Sequence, residues 1–180
     1  MSRLRTREGW KLYADRVPTA LGDLWVIVDE AGALVRVEFE DGSRAPEAPE
    51  EWVDAYHDVG EVLAFVPSRV RRVAGVLKRI ARGQADGSEL EVAPEGTPFQ
   101  RRVWTALRKI PRGKTWTYLE LARRVGKPKA ARAVGAANGA NPVSIVIPCH
   151  RVVGTNGRLT GYTGGLECKR RLLELEGALE

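Results

Sequence analysis

The chain has few of the residues that metal centres and disulfide frameworks need. Its 180 residues include two cysteines, two histidines and one methionine. Two cysteines, one of them beside a histidine, make no disulfide framework, and their scarcity fits a reducing compartment. No apolar run approaches the roughly 20 residues that span a bilayer. Residues 1–8, Met-Ser-Arg-Leu-Arg-Thr-Arg-Glu, carry charge with no apolar stretch behind them. No secretory signal or membrane association is therefore expected, and a cytoplasmic location is the default. Internal repeats and low-complexity segments are also absent. A hydrophobic content of 43% with 29% charged residues is that of a globular protein long enough for one large domain or two small ones.

The charge is unevenly placed. Net charge is +6, yet residues through Ala93 hold 13 Lys+Arg against 17 Asp+Glu, whereas Pro94 onward holds 16 against 6. Halves of about −4 and +10 imply that the C-terminal half meets a polyanion, with nucleic acid the first candidate. A solvated basic face is the alternative unless a docking element accompanies the charge.

Two apolar runs at 24–28 and 33–39 flank the turn sequence Asp29-Glu-Ala-Gly32, which predicts a β-hairpin. Val70, Val73, Leu77 and Ile80 fall at helical spacing and predict an amphipathic helix over 70–81, packed on the hairpin's sheet. Residues 83–96 read as a linker holding one short strand at 90–92. Thr97-Pro98-Phe99-Gln100 offers an N-cap, a proline in the first turn and a capping-box glutamine. The helix that follows should bury Phe99, Val103, Trp104, Leu107 and Ile110. Thr117 and Glu120 repeat the device for a short helix ending at Gly126, and a third helix follows over 129–138. Two short helices joined by Gly-Lys-Pro read as a helix-turn-helix. The expected fold is therefore α+β, with domains at 1–93 and 94–180.

The third helix is nearly all small side chains around Arg132. Helices that read the major groove present several hydrogen-bonding side chains, and this one does not. Ala130, Ala131 and Gly135 would let its backbone press into a minor groove, with Arg132 as the one long side chain for insertion. Tight packing against another helix is the competing explanation.

Chemistry concentrates at Ile147-Pro148-Cys149-His150-Arg151-Val152. A thiol near pKa 8.5 needs a neighbour to become a thiolate, and imidazole is the commonest one. The run 143–147 predicts a buried strand that delivers Cys149 at its end. Adjacent strand residues point to opposite faces, so His150 would reach the sulfur only through a turn or a water. A helix over 166–176 places Cys168, Leu172, Leu175 and Leu179 on one face, which makes Cys168 core. Glu176 lies off that face, against the helix dipole, and gains from a basic partner. A Cys-His-Glu relay and a solvated terminal glutamate are both open on these grounds.

Three separated motifs carry a resemblance. The stretch from Arg132 to Pro142, the segment 147–152 and Gly161-Tyr-Thr-Gly-Gly-Leu166 closely resemble those of the O6-alkylguanine-DNA alkyltransferases. The resemblance is strong over 94–177 and holds only in outline before it, where it implies a ribonuclease H-like N-terminal domain. It implies that Cys149 accepts the alkyl group and that His150, a water and Glu176 generate its thiolate. It implies that Tyr118 and Arg132 rotate the nucleotide out of duplex DNA bound through the minor groove, with Tyr118 also a proton donor. Asn141 would brace the turn behind the recognition helix. Tyr162 and Thr163 would line the guanine pocket, and Val152 would belong to the loop whose carbonyls recognise the base. The partner would be double-stranded DNA bearing O6-alkylguanine, the protein a monomer, and no cofactor is implied. The zinc site of some relatives lacks its ligands, because the N-terminal half offers only His57. Three competing classes fit less well: a recognition-only relative would lack the cysteine, a helix-turn-helix regulator would need base-reading side chains, and a Cys-His hydrolase would need an oxyanion hole.

Overall fold

The predicted hairpin forms one side of a larger sheet. A computed structural model describes residues 11–42 and 62–179, so the N-terminal octapeptide and His57 lie outside the described residues. Strand β1 (Lys11–Val17) pairs antiparallel with β2 (Leu24–Val28), which pairs antiparallel with β3 (Leu34–Phe39). A fourth strand, β4 (Val62–Phe65), lies parallel to β1 and completes the order β3-β2-β1-β4. The turn between β2 and β3 needs Gly32, at φ 83°, and is closed by Asp29 Oδ1 accepting from the Ala33 amide at 2.9 Å.

Helix α1 (Pro67–Ile80) lies against this sheet as its spacing predicts, burying Val70, Val73, Val76, Leu77 and Ile80. Each such side chain contributes roughly 2 kcal/mol by area. The linker strand expected at 90–92 is only an isolated bridge, Leu34 with Val92.

Both capping boxes form. Thr97 Oγ1 accepts from the Gln100 amide at 3.2 Å and Gln100 Oε1 accepts from the Thr97 amide at 2.8 Å, starting α2 (Pro98–Leu107). Phe99 is only partly buried, while Val103, Trp104, Leu107 and Ile110 are core. The two-residue β5 (Trp116–Thr117) leads into α3 (Tyr118–Arg124), where Thr117 and Glu120 exchange the same bonds. Gly126, at φ 73°, turns the chain towards α4 (Ala131–Gly139). Val134 and Ala137 of α4 are buried, and the Trp104 indole donates to Ala137 O at 2.8 Å. The last helix, α5 (Gly165–Leu175), ends at Glu176. The architecture is α+β, with five α-helices among the described residues.

The segment 143–147 corrects the sequence reading, because it forms no strand. Its residues are buried and, Ser144 apart, β-branched, but the chain turns tightly, with the Ile147 amide donating to Val143 O at 3.0 Å and the Val146 amide to Ser144 O at 2.8 Å. Ile145 sits at φ 63°, a conformation that costs a β-branched residue about 1–3 kcal/mol and that the surrounding core must hold. The one ladder contact is with β3: the Val37 amide donates to Pro142 O at 2.9 Å and the Ser144 amide to Val37 O at 3.0 Å. The outer edge of β3 therefore seats the chain just before Cys149.

Candidate active site

Cys149 opens a single 3-10 turn (Cys149–Arg151) that leads into β6 (Val152–Val153), the partner of β5. On such a turn successive side chains diverge by about 120°, so Cys149 and His150 are not on opposite faces as on a strand. The thiol is 5% exposed and accepts from Asn141 Nδ2 at 3.1 Å. The same amide donates to Ile147 O at 2.8 Å, and Asn141 Oδ1 accepts from the Val143 amide at 3.1 Å. Asn141 thus pins both ends of the turn that presents the sulfur.

His150 is wholly buried, and its Nε2 lies 3.0 Å from Glu176 Oε1. A carboxylate accepts, so Nε2 carries the proton and Nδ1 is left with its lone pair. Nδ1 is buried and has no hydrogen-bond partner among the described residues. Burial pulls the imidazole below its ordinary pKa, against the opposing pull of Glu176, which keeps it neutral near pH 7. Arg151 clamps the same carboxylate through Nε and Nη2, both at 2.8 Å, and donates to Ile110 O at 2.6 Å. Burial alone would raise the Glu176 carboxyl, but hydrogen bonds and charge from His150 and Arg151 outweigh it and hold the pKa at about 2. The sequence left Glu176 either paired or solvated, and the His150–Glu176 contact that the resemblance implied is the one that forms. Arg151 was missed, and its only signal is a guanidinium next to the histidine.

Tyr162 stands beside His150, ring centroids 6.3 Å apart, and meets Phe39 of β3 edge-on at 6.0 Å. Its hydroxyl is buried without a partner among the described residues, and burial raises its pKa well above 10, so it is a neutral donor. Thr163 Oγ1 lies 3.4 Å from Ser144 Oγ. Phe39 went unnoticed in the sequence because it read only as a hairpin core residue. Its ring fills the space over Gly164, where a Cβ would sit 2.5 Å from Phe39 Cδ2. Gly164→Ala is expected to displace Phe39 and Tyr162 together, costing about 1–3 kcal/mol by overpacking. A thermal melt checks the stability loss, and an unchanged melting temperature would refute the contact.

Val152 and Thr160 are joined by Lys169, whose Nζ donates to Val152 O at 2.6 Å and Thr160 O at 2.7 Å. Thr160 Oγ1 donates to the Tyr118 hydroxyl at 3.3 Å, which links Tyr118 to this loop. Arg132 is exposed on α4, Ala130 and Ala131 are half-buried at its start, and Gly135 faces the Tyr118 ring. A Cβ at Gly135 would lie 3.6 Å from that ring, an ordinary contact, so Tyr118 alone does not require the glycine. Cys168 is half-buried against the core, as expected, and burial pushes its thiol up to about 12. Among the described residues no cluster of three or more metal-ligating side chains occurs, and no helix is long and apolar enough to cross a membrane.

Residues 98–178 match the family model described as 6-O-methylguanine DNA methyltransferase, DNA binding domain. The methylated-DNA–protein-cysteine methyltransferase of Methanosarcina acetivorans is 42% identical over 93% of this chain and 99% of its own length. The chain belongs to the methylated-DNA–protein-cysteine methyltransferase family. The Salmonella typhimurium member is 44% identical over 94% of this chain and 98% of its own. The crystal structure of Mycobacterium tuberculosis O6-methylguanine methyltransferase superposes with a TM-score of 0.76 at 36% identity, covering 93% of each chain. A structure of the M. tuberculosis protein OGT in complex with DNA superposes at 0.73 with 34% identity, again over 93% of each chain. Membership of the methyltransferase family thus extends over the sheet half, where the sequence motifs gave only an outline.

Proposed function

We propose that the protein repairs alkylated DNA directly, moving the alkyl group from O6 of guanine to Cys149 in one stoichiometric, irreversible step. The observation that carries this reading is a buried thiol held by Asn141, beside a neutral imidazole that Glu176 fixes with its proton on Nε2. His150 Nδ1 takes the thiol proton through a water. The thiolate then attacks the alkyl carbon in line, forming a C–S bond as the C–O6 bond breaks. The electron pair returns to guanine, whose ring receives a proton from Tyr118. A thioether has no leaving group to reverse it, so each molecule acts once.

A thiol 5% exposed cannot meet a base still stacked in a duplex, so the nucleotide must be extruded, at a cost of a few kcal/mol. We read α3 and α4 as a helix-turn-helix, with Ala130, Ala131 and Gly135 allowing close approach in the minor groove and Arg132 filling the gap in the stack. Tyr162, Thr163 and the Val152 carbonyl would receive the extruded guanine. O4-alkylthymine offers the same alkyl–oxygen bond and is a second candidate substrate. The DNA-binding unit would be 94–180, the preceding 1–93 a ribonuclease H-like support, and the protein a cytoplasmic monomer.

Incubation with duplex DNA containing O6-methylguanine is expected to add one methyl mass to the peptide carrying Cys149. Bound DNA without that mass would favour a recognition-only protein. Arg132→Ala is expected to slow repair in duplex by about ten-fold or more while leaving reaction with free O6-benzylguanine unchanged. Equal losses on both substrates would refute its role in extrusion.

A further inference from the structure

We propose that the outward face of α1 is a second, sequence-independent docking surface for duplex DNA, separate from α3 and α4. Residues 66–85 hold six cations, Arg69, Arg71, Arg72, Lys78, Arg79 and Arg82, and no acidic residue, although they belong to the half of the chain that is acidic as a whole. All six are exposed, while Val70, Val73, Val76, Leu77 and Ile80 turn inward. Arg71, Lys78 and Arg82 recur at seven and four residues and form one stripe, with Arg72 and Arg79, seven apart, beside it. Gly75 lies exposed between them with nothing within 4 Å of where its Cβ would be, so the middle of the stripe is low and open.

Helix stability does not account for this placement. Lys78 and Arg79 in the last turn complement the helix dipole, but Arg69 opposes it in the first turn, and Arg71 and Arg72 gain nothing from it. Lys78 and Arg82 are like charges four residues apart, a spacing that weakens a helix where a glutamate would strengthen it. Of the six, Arg79 alone is ion-paired among the described residues, to Glu89, and Arg69 lies over the Tyr13 ring at 4.6 Å. At one end of the stripe Lys78 and Arg82 join Pro18, Thr19 and Ala20 around an open cavity of about 240 Å³. A phosphate seated there would meet both cations. The run from Arg71 to Arg82 spans about 16 Å, enough for several phosphates of a strand that carries one charge every ~3.4 Å. DNA, read above as the partner of α3 and α4, is the polyanion at hand, and the choice rests on that reading. α1 packs on the sheet and α4 on α2 and α3, with both buried faces in one core. Their outer faces serve separate stretches of DNA, so one molecule holds two segments while it searches.

Two short undamaged duplexes, one carrying an energy donor and the other an acceptor, are mixed with wild-type protein and with Arg71→Gln/Lys78→Gln/Arg82→Gln, at less protein than duplex. Glutamine keeps the helix propensity and none of the charge. Wild type is expected to bring the labels together, with a signal that falls steeply as salt rises. The triple variant should lose that signal about ten-fold or more, yet bind a single duplex and methylate Cys149 from O6-methylguanine DNA within about two-fold of the wild-type rate. Arg71→Lys/Arg82→Lys, which keeps the charge, should behave like wild type. Energy transfer that persists in the triple variant, or that is missing from wild type able to bind one duplex, would overturn the second surface. Wild type that sediments as a dimer without DNA, where the triple variant is a monomer, would show that the face meets the acidic half of a second copy and would overturn it too. Wild type that binds no duplex at all would count against the reading of DNA as partner instead.

Discussion

Cys149→Ser is expected to eliminate alkyl transfer while leaving the fold and DNA binding in place. The serine hydroxyl is smaller than the thiol but still accepts from Asn141 Nδ2, now 3.1 Å from Sγ. The network around it therefore persists, and the stability change should stay within about 1 kcal/mol. Reactivity is another matter. An imidazole whose pKa is lowered by burial is a weak base. It can deprotonate a thiol near 8.5, but not an alcohol, which is far less acidic. The rate should fall by at least about 10³, with no mass added to the 149 peptide after prolonged incubation with O6-methylguanine DNA. A serine variant alkylated at even a tenth of the wild-type rate would show that Cys149 is not the acceptor.

Local signals gave reliable readings where the physics is local. Thr97 with Gln100 and Thr117 with Glu120 are complete N-terminal caps within four residues, and both form. The hairpin turn at Asp29 to Gly32 is equally self-contained. Long-range features were not legible. Residues 143–147 have strand composition, but their backbone bonds go to Asn141 and to Val37, which are two and about a hundred positions away. β1 was hidden because Lys11, Asp15 and Arg16 interrupt its buried Leu12, Ala14 and Val17. β4 is four residues long and defined by its pairing with β1.

At the site, Cys149, His150 and Glu176 could be listed from sequence, but their electrostatics could not. Arg151 and Lys169 counted only as part of a basic half. In the structure both are buried, Arg151 as the clamp on Glu176 and Lys169 as the tie across a loop. Some of the charge that suggested a nucleic-acid surface is thus spent inside the protein. Lys169 carried no sequence signal, because the helix face read as inward ran through Cys168, Leu172, Leu175 and Leu179, whereas the buried residues of the helix are Lys169, Leu172 and Leu173.

Glu176→Gln is expected to cost roughly 3 kcal/mol at pH 7 and to slow alkyl transfer at least about ten-fold. The carboxylate accepts from His150 at 3.0 Å and from Arg151 twice at 2.8 Å, and an amide cannot serve all three donors. Its NH2 group would face a donor and leave the Arg151 charge buried beside a neutral partner. The pH dependence identifies the cause. With a folded pKa of about 2 against 4.5 in the unfolded chain, the stability Glu176 supplies is complete above pH 4.5 and lost as pH falls towards 2. Glutamine has no such limb. Neutral, buried His150 weakens both proteins below pH 6.5, since only the unfolded chain takes up its proton there, and because Glu176 raises the imidazole this limb differs between the two. Urea midpoints are therefore compared with and without the glutamine in a His150→Asn background, where the two proteins should converge as pH falls from 4.5 towards 3. A constant offset would mean that the substitution disturbs packing and not the ion pair. An unchanged reaction rate would mean that the imidazole does not depend on Glu176 to keep its proton on Nε2 and leave Nδ1 able to accept.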